Sequence, residues 1–555
     1  MTSKMKAGVF AACFLWTALV APQVFAVDHS APSGKQVSHV LLISIDGMHA
    51  LDFSNCSKGI STINGGQPYC PNMAALAQTG INYIAASTSK PSDSFPGLTA
   101  LVTGATPRSA GVFYDVSYDR ALSPPAKTTP YGIIGGPTLC PSVVGTQVGF
   151  DEEIDYDYTR VDGGGGINPD YLPRDPKNGC AKVYPHNYVR VNTIFNVVKE
   201  AGGYTAWTDK HPAYDLTNGP TGNGVNDFFG PEINSLVVPL DQKGYDVPSC
   251  HTIPDPTATD DWTTSFQNIQ CYDLLHVQAI LNQIDGKTHD GSESAPVPTV
   301  FGANFQSVSV GEKLVESSIS TTGGYVDASG TPSPALLSEI QFMDNAIGQF
   351  VTELKKQGLS DSTLIIITAK HGQSPIDPNR LLRIPADNPA FEAPSDALGG
   401  IGGPTVAQAI EDDISLMWLN NSSLTSAAVL TLTQNEGVTG GGEIFSGNSL
   451  DLLFNDPLLD SRTPDIIQAP NVGVVYTGHQ AKVAEHGGFA HDDTNVIMLL
   501  SNPKLAPQTV TNPVETRQVA PTILRVLGLQ PSSLLAVQQE HTTILPELPF
   551  VFDHQ

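Results

Sequence analysis

The chain has 555 residues, 40% hydrophobic and 15% charged, a balance that suits a large folded protein and excludes a disordered or low-complexity one. Asp and Glu outnumber Lys and Arg by 55 to 28, for a formal charge of −27, so there is no basic excess to displace counterions from nucleic acid or to meet an anionic membrane. Any site for an anion must therefore be made locally positive, by a metal or a buried lysine.

Residues 1–26 carry Lys4 and Lys6, then an apolar stretch, then Val24-Phe25-Ala26, the layout of a cleavable signal peptide. A membrane anchor is the competing reading, but the apolar run is shorter and more broken than the ~20 residues of a spanning helix, and no later segment is long enough. Export of the mature part, residues 27–555, would take it to the medium or a periplasm, with no membrane contact left. Seven cysteines become six once Cys13 leaves with the signal, an even number for an oxidising compartment. Closure between near neighbours pairs Cys56 with Cys70, Cys140 with Cys180 and Cys250 with Cys271. Free buried thiols are the alternative.

His39 to Ile45 is a β-branched apolar run ending at Asp46-Gly47, the pattern of a buried strand with a polar residue at its carboxyl end. Tyr204 to Thr208 ends likewise in Asp209-Lys210-His211, Thr363 to Thr368 in Ala369-Lys370-His371-Gly372, and Asn495 to Leu500 is a further strand. Helical apolar spacing fills Ser333 to Gly358, with Ser333-Pro334 to start it and Gly358 to stop it, and also Val191 to Ala201. Such alternation predicts an α/β fold: a mainly parallel sheet with helices on both faces, and ligands bound outside the carboxyl ends of the strands. Two stretches, 113–188 and 375–470, break the alternation and are predicted insertions.

Four places offer chemistry. Asp46 at a strand end is a hard ligand for a divalent cation, or simply a turn aspartate. Ser94, in Ser92-Asp93-Ser94-Phe95-Pro96-Gly97, stands before an apolar helix whose amides favour an anion, so it is a nucleophile or, like Ser92, a plain helix cap. His371-Gly372 and His486-Gly487 both put an imidazole in a glycine turn, which suits zinc.

In this order the segments resemble the alkaline phosphatase superfamily, and within it the type I phosphodiesterase/nucleotide pyrophosphatase branch. Asp46-Gly47, Ser94-Phe95-Pro96, Thr103-Gly104-Ala105-Thr106-Pro107, His371-Gly372, His486-Gly487 and the closing run Val519 to Leu529 carry the resemblance, from about position 39 to 530. It implies Ser94 as the catalytic nucleophile and two zinc ions held by three aspartates and three histidines. The chain departs from that set. Lys370 stands where an aspartate precedes the His-Gly turn, Ala303 to Gly311 lacks the expected Asp and His, and Gly97 replaces an asparagine.

The ligands that remain are Asp46, Ser94, His371 and His486, enough for one divalent ion, zinc by its donors, rather than two. Lys370 then joins Ser94 as a catalytic residue by holding the phosphate, and His211, His491, Asp492 and Asp493 are available to a rearranged site. The expected activity is metal-dependent hydrolysis of a small-molecule phosphate ester through a phosphoserine. A non-catalytic binding protein of the same fold, or a phosphotransferase or mutase, is the alternative. A sulfatase is disfavoured because no arginine follows Ser94-Phe95-Pro96 at the required place.

Overall fold

The β-branched run His39–Ile45 forms β1, and its side chains alternate between two layers of helices. The structure, a computed structural model, describes residues 37–240, 250–252 and 260–549. The expected signal peptide lies outside them. Seven further strands complete one sheet: β2 Gly80–Tyr83, β3 Ala206–Thr208, β4 Asp227–Phe229, β5 Val300–Phe305, β6 Thr363–Thr368, β7 Leu499–Ser501 and β8 Gln508–Val510, in the order β8-β2-β7-β6-β1-β5-β3-β4.

Neighbours from β6 to β4 pair in parallel, as do β2 and β8, while β7 is antiparallel to both β6 and β2. The fold is therefore α/β with a mainly parallel sheet, as the alternation implies. The reversed strand β7 falls in the Asn495 to Leu500 run, and its direction has a plain cause. The chain reaches it from the turn around Asp493, whose carbonyl accepts from the Gly372 amide beyond the carboxyl end of β6, so the strand must run back.

Helices cover both faces. Val40, Leu42, Leu364 and Ile366 pack against α2 (Ser94–Thr103), α3 (Ile194–Glu200) and α6 (Val519–Val526). Leu41, Ile43, Phe301, Phe305 and Ile367 pack against α1 (Pro71–Ala77), α4 (Phe266–Ile284) and α5 (Pro334–Lys356). Each large aliphatic side chain buried this way contributes about 1.5–3 kcal/mol, so the central strands are the most firmly held part of the molecule. Residues 406–470 form a separate four-stranded antiparallel sheet, and Thr146–Gly149 pairs with Val116–Asp119 as a hairpin. The three disulfides are Cys56–Cys70, Cys140–Cys180 and Cys250–Cys271, the pairs that near-neighbour closure predicts.

Strand register positions the site. Ser44 of β1 lies beside Asn304 of β5 and Thr368 of β6, and Ala303 of β5 beside Thr208 of β3. Four adjacent strands thus end level, delivering Lys370 and His371, Asp46, Gln306, and Asp209 and Lys210 to one edge.

Candidate active site at the carboxyl ends of the strands

Asp46 is fully buried, and its Oδ2 is the focus of the site. Gln306 Nε2 donates to it at 2.6 Å, Asn304 Nδ2 at 3.1 Å and Ser94 Oγ at 3.3 Å. His371 Nε2 stands 3.2 Å away, Lys370 Nζ 3.6 Å and Lys210 Nζ 3.7 Å. Burial alone would raise this carboxyl, but Lys370, His371 and Lys210 hold it well below the usual carboxylate range.

Ser94 opens α2, and neither nearby serine caps that helix. The cap is Asp93, whose Oδ2 accepts from the Phe95 amide at 2.9 Å, while Ser92 Oγ donates to the Asp493 carbonyl at 2.9 Å. The Ser94 hydroxyl is left to face the strand ends, where it accepts from Lys210 Nζ at 2.9 Å. Gly97 is required by close approach: a Cβ there would lie 2.1 Å from the Lys370 carbonyl oxygen, so the first turn of α2 packs directly on the chain after β6.

The two lysines differ. Lys370 is fully buried and bonded to Asp209 Oδ1 at 3.1 Å and the Tyr214 hydroxyl at 3.1 Å, with its Nζ 4.2 Å from the Tyr214 ring centre. Burial pushes Lys370 down and Asp209 up, and the contact between them opposes both shifts. Lys210 keeps some exposure and reaches Ser94 and Gln306. Among the residues around Asp46, the sequence alone assigns no role to Lys210, Asn304 or Gln306, although Lys210 follows β3 much as Asp46 follows β1.

His371 and His486 lie with ring centres 4.1 Å apart, and burial, first of all, pushes both below the ordinary histidine value. The four expected ligands, Asp46, Ser94, His371 and His486, are therefore brought together. His211 turns away, its Nδ1 2.8 Å from Glu232 Oε1. His491 is exposed, and Asp493 Oδ2 accepts from the Gly488 amide.

Do these residues fit a metal? His371 Nδ1 lies 2.9 Å from the Gly372 carbonyl, which commits its proton there and leaves the Nε2 lone pair facing Asp46 Oδ2. That Nε2 has no hydrogen-bond partner, nor do Asp46 Oδ1 and His486 Nδ1. Ligands ~2.0 Å from a tetrahedral zinc stand about 3.3 Å from each other, and the spacings from Asp46 Oδ2 to His371 Nε2 and Ser94 Oγ are 3.2 and 3.3 Å. Asp46, His371 and Ser94 thus have the spacing of ligands to such an ion, while Asn304 and Lys370 also turn to Asp46.

A second buried histidine network lies behind this site. His49 Nδ1 meets Asp52 at 3.0 Å and Glu312 at 3.2 Å, Tyr325 OH donates to Glu312 at 2.7 Å, and His49 Nε2 lies 2.9 Å from the Gln373 carbonyl. Burial works against the imidazolium, yet Glu312 and Asp52 raise His49 well above its ordinary value.

Residues 40–132 and 319–489 match the model of the family described as type I phosphodiesterase / nucleotide pyrophosphatase. No curated protein sequence matches the chain. Among solved structures, murine ectonucleotide pyrophosphatase / phosphodiesterase 5 is similar at a TM-score of 0.50 and 12% identity, over 89% of this chain and 96% of that one. The human protein of the same name gives 0.49 and 13%, over 89% and 95%. Asp209, Lys210, Asn304 and Gln306 all fall between the two matched segments. The chain thus resembles the type I phosphodiesterase / nucleotide pyrophosphatase family over those two segments and shares the fold of the murine structure.

Proposed function

We propose that the chain is an exported, metal-dependent phosphoric ester hydrolase with Ser94 as nucleophile. The observation that carries this reading is the Ser94 hydroxyl, held at a helix start between the Asp46 carboxylate and the Lys210 ammonium. Export draws its support from the three disulfides, which persist in oxidising compartments. Among the described residues no helix is long and apolar enough to cross a membrane.

Ser94 Oγ, held between Asp46 and Lys210, attacks phosphorus, and its proton passes by way of Asp46 Oδ2 to the departing oxygen, so the alcohol leaves and a phosphoserine remains. Lys210 contacts the phosphoryl oxygens, where its charge is worth most as negative charge builds. Lys370, fixed by Asp209 and Tyr214, adds a positive potential from behind Asp46. Water then hydrolyses the phosphoserine and frees Ser94. Asp46, Ser94 and His371, with His486 adjacent, would hold a divalent cation such as zinc, which would supply Lewis acidity to this site.

The test is hydrolysis of p-nitrophenyl phosphate and bis(p-nitrophenyl) phosphate by the mature chain, with and without chelator. Cleavage that chelation stops is the expected result, and the better ester sets the subclass. A ligand-binding protein without turnover is the second reading, favoured by Asn304 and Lys370 in place of metal-binding carboxylates. It predicts phosphate binding with neither ester cleaved.

A further inference from the structure

His211 follows Lys210 but faces a second buried cluster. Its Nδ1 lies 2.8 and 2.9 Å from the two oxygens of Glu232, and ligand atoms of Glu152, His211 and Glu232 all lie within 4.8 Å of one another. Separate stretches of chain bring them there. Glu152 opens a 3-10 turn, Glu152–Ile154; His211 precedes another, Pro212–Asn218; and Glu232 follows β4, its amide donating to the Val161 carbonyl.

Asp155 faces the same cluster. It is wholly buried, no amide, hydroxyl or cationic donor reaches either of its carboxyl oxygens, and the Glu232 carboxyl lies against it. Burial, and then the Glu232 carboxylate beside it, push Asp155 up to about 10. The chain around it is shaped to fit: Gly163 has a φ of +60°, and a Cβ there would lie 2.7 Å from Asp155 Oδ2, so only glycine lets the loop close over this carboxylate.

Two glutamates and the Asp155 carboxyl thus converge on one imidazole from separate turns. A neutral imidazole with carboxylate oxygens is the donor set of first-row divalent metals, and partly exposed Glu152 leaves a way in.

We propose that Glu152, His211 and Glu232, with Asp155, form a binding site for a zinc-class divalent ion, separate from Asp46 and His371. The ion would tie the separate turns together and brace the one that carries Lys210.

Zinc per chain, measured by elemental mass spectrometry after chelation, reloading with ZnCl2 and desalting, tests this on the mature wild-type chain and on Glu152→Gln, Glu232→Gln and Asp46→Asn. The expected result is about one zinc fewer in each glutamine variant than in the wild type, with zinc still bound to Asp46→Asn. Glu152→Gln, at a partly exposed position, keeps the test valid should Glu232→Gln misfold. Wild-type zinc content in Glu152→Gln would overturn the proposal, as would an Asp46→Asn protein devoid of zinc. Loss in Asp46→Asn alone would sink this site and leave the strand-end metal intact; loss in the glutamine variants alone would do the reverse.

Discussion

Two charged clusters share the carboxyl edge of the sheet, and they close their charges differently. Around Asp46, two lysines and two amides answer one carboxylate, and the deeper lysine has Asp209 as a partner of its own. Around His211, two glutamates and Asp155 meet one imidazole, and the lysine nearest in the chain, Lys210, is turned to Ser94. The first cluster is assembled from strand ends in register, where each side chain is fixed by the sheet. The second is assembled from turns, and its geometry suits an ion rather than an internal partner. A site that balances itself can accept a substrate anion; one that does not is fitted for a cation.

Mutations sharpen the contrast. The largest effect falls on Ser94: Ser94→Ala should lower turnover of the preferred nitrophenyl ester by about 10⁴-fold or more with an unchanged melting temperature. An active Ser94→Ala would remove this residue from the chemistry. Next is Lys370→Met, which strands Asp209 in the interior and should cost about 3–5 kcal/mol in a denaturant titration. A stability within 1 kcal/mol (about the size of one net hydrogen bond) of wild type would mean that Asp209 and Lys370 are not an essential pair.

Lys210→Met should do the opposite, lowering turnover about 10²–10³-fold while leaving the denaturation midpoint nearly unmoved, because its role is at the reacting phosphate. Equal effects in the two lysine variants would erase the distinction between them. The smallest effect concerns Arg190, which grips Asp460 through two contacts of 2.6 Å and ties the 375–470 region to the segment before α3. Burial opposes ionisation of Asp460, but Arg190 brings its carboxyl from 3.8 down to about 2. A lowered folded value means stability present above pH ~4 and lost as the pH falls towards 2, about 1–2 kcal/mol after allowance for solvent at the arginine. Arg190→Met should flatten that acid limb in a pH series of thermal melts.

Much of this was legible in the sequence because it is local. A β-branched run ending in Asp-Gly or Lys-His-Gly states both a buried strand and what stands at its end, so β1, β6, Asp46 and His371 could be placed without a structure. Helix α5 announced itself by apolar spacing between Ser333-Pro334 and Gly358, and cysteine spacing sufficed for the three disulfides. Direction and partnership were not legible. Nothing in Asn495 to Leu500 says that β7 runs backwards, since that depends on where the preceding turn sits. Lys210 is in plain view after β3, but its bond to Ser94 depends on strand order. Glu152, Asp155 and Glu232 have no spacing that links them to His211; only the folded turns bring them together. Asp93 rather than Ser92 or Ser94 caps α2, a choice between neighbours that the sequence leaves open.

The central claim is that Ser94 attacks phosphorus, and its covalent product tests it most directly. Wild-type protein mixed with the preferred nitrophenyl ester, quenched in acid and digested, should yield a phosphorylated peptide mapped to Ser94 by mass spectrometry, absent when Ser94 is alanine. Turnover without any Ser94 adduct, at quench times within the first catalytic cycle, would contradict the account.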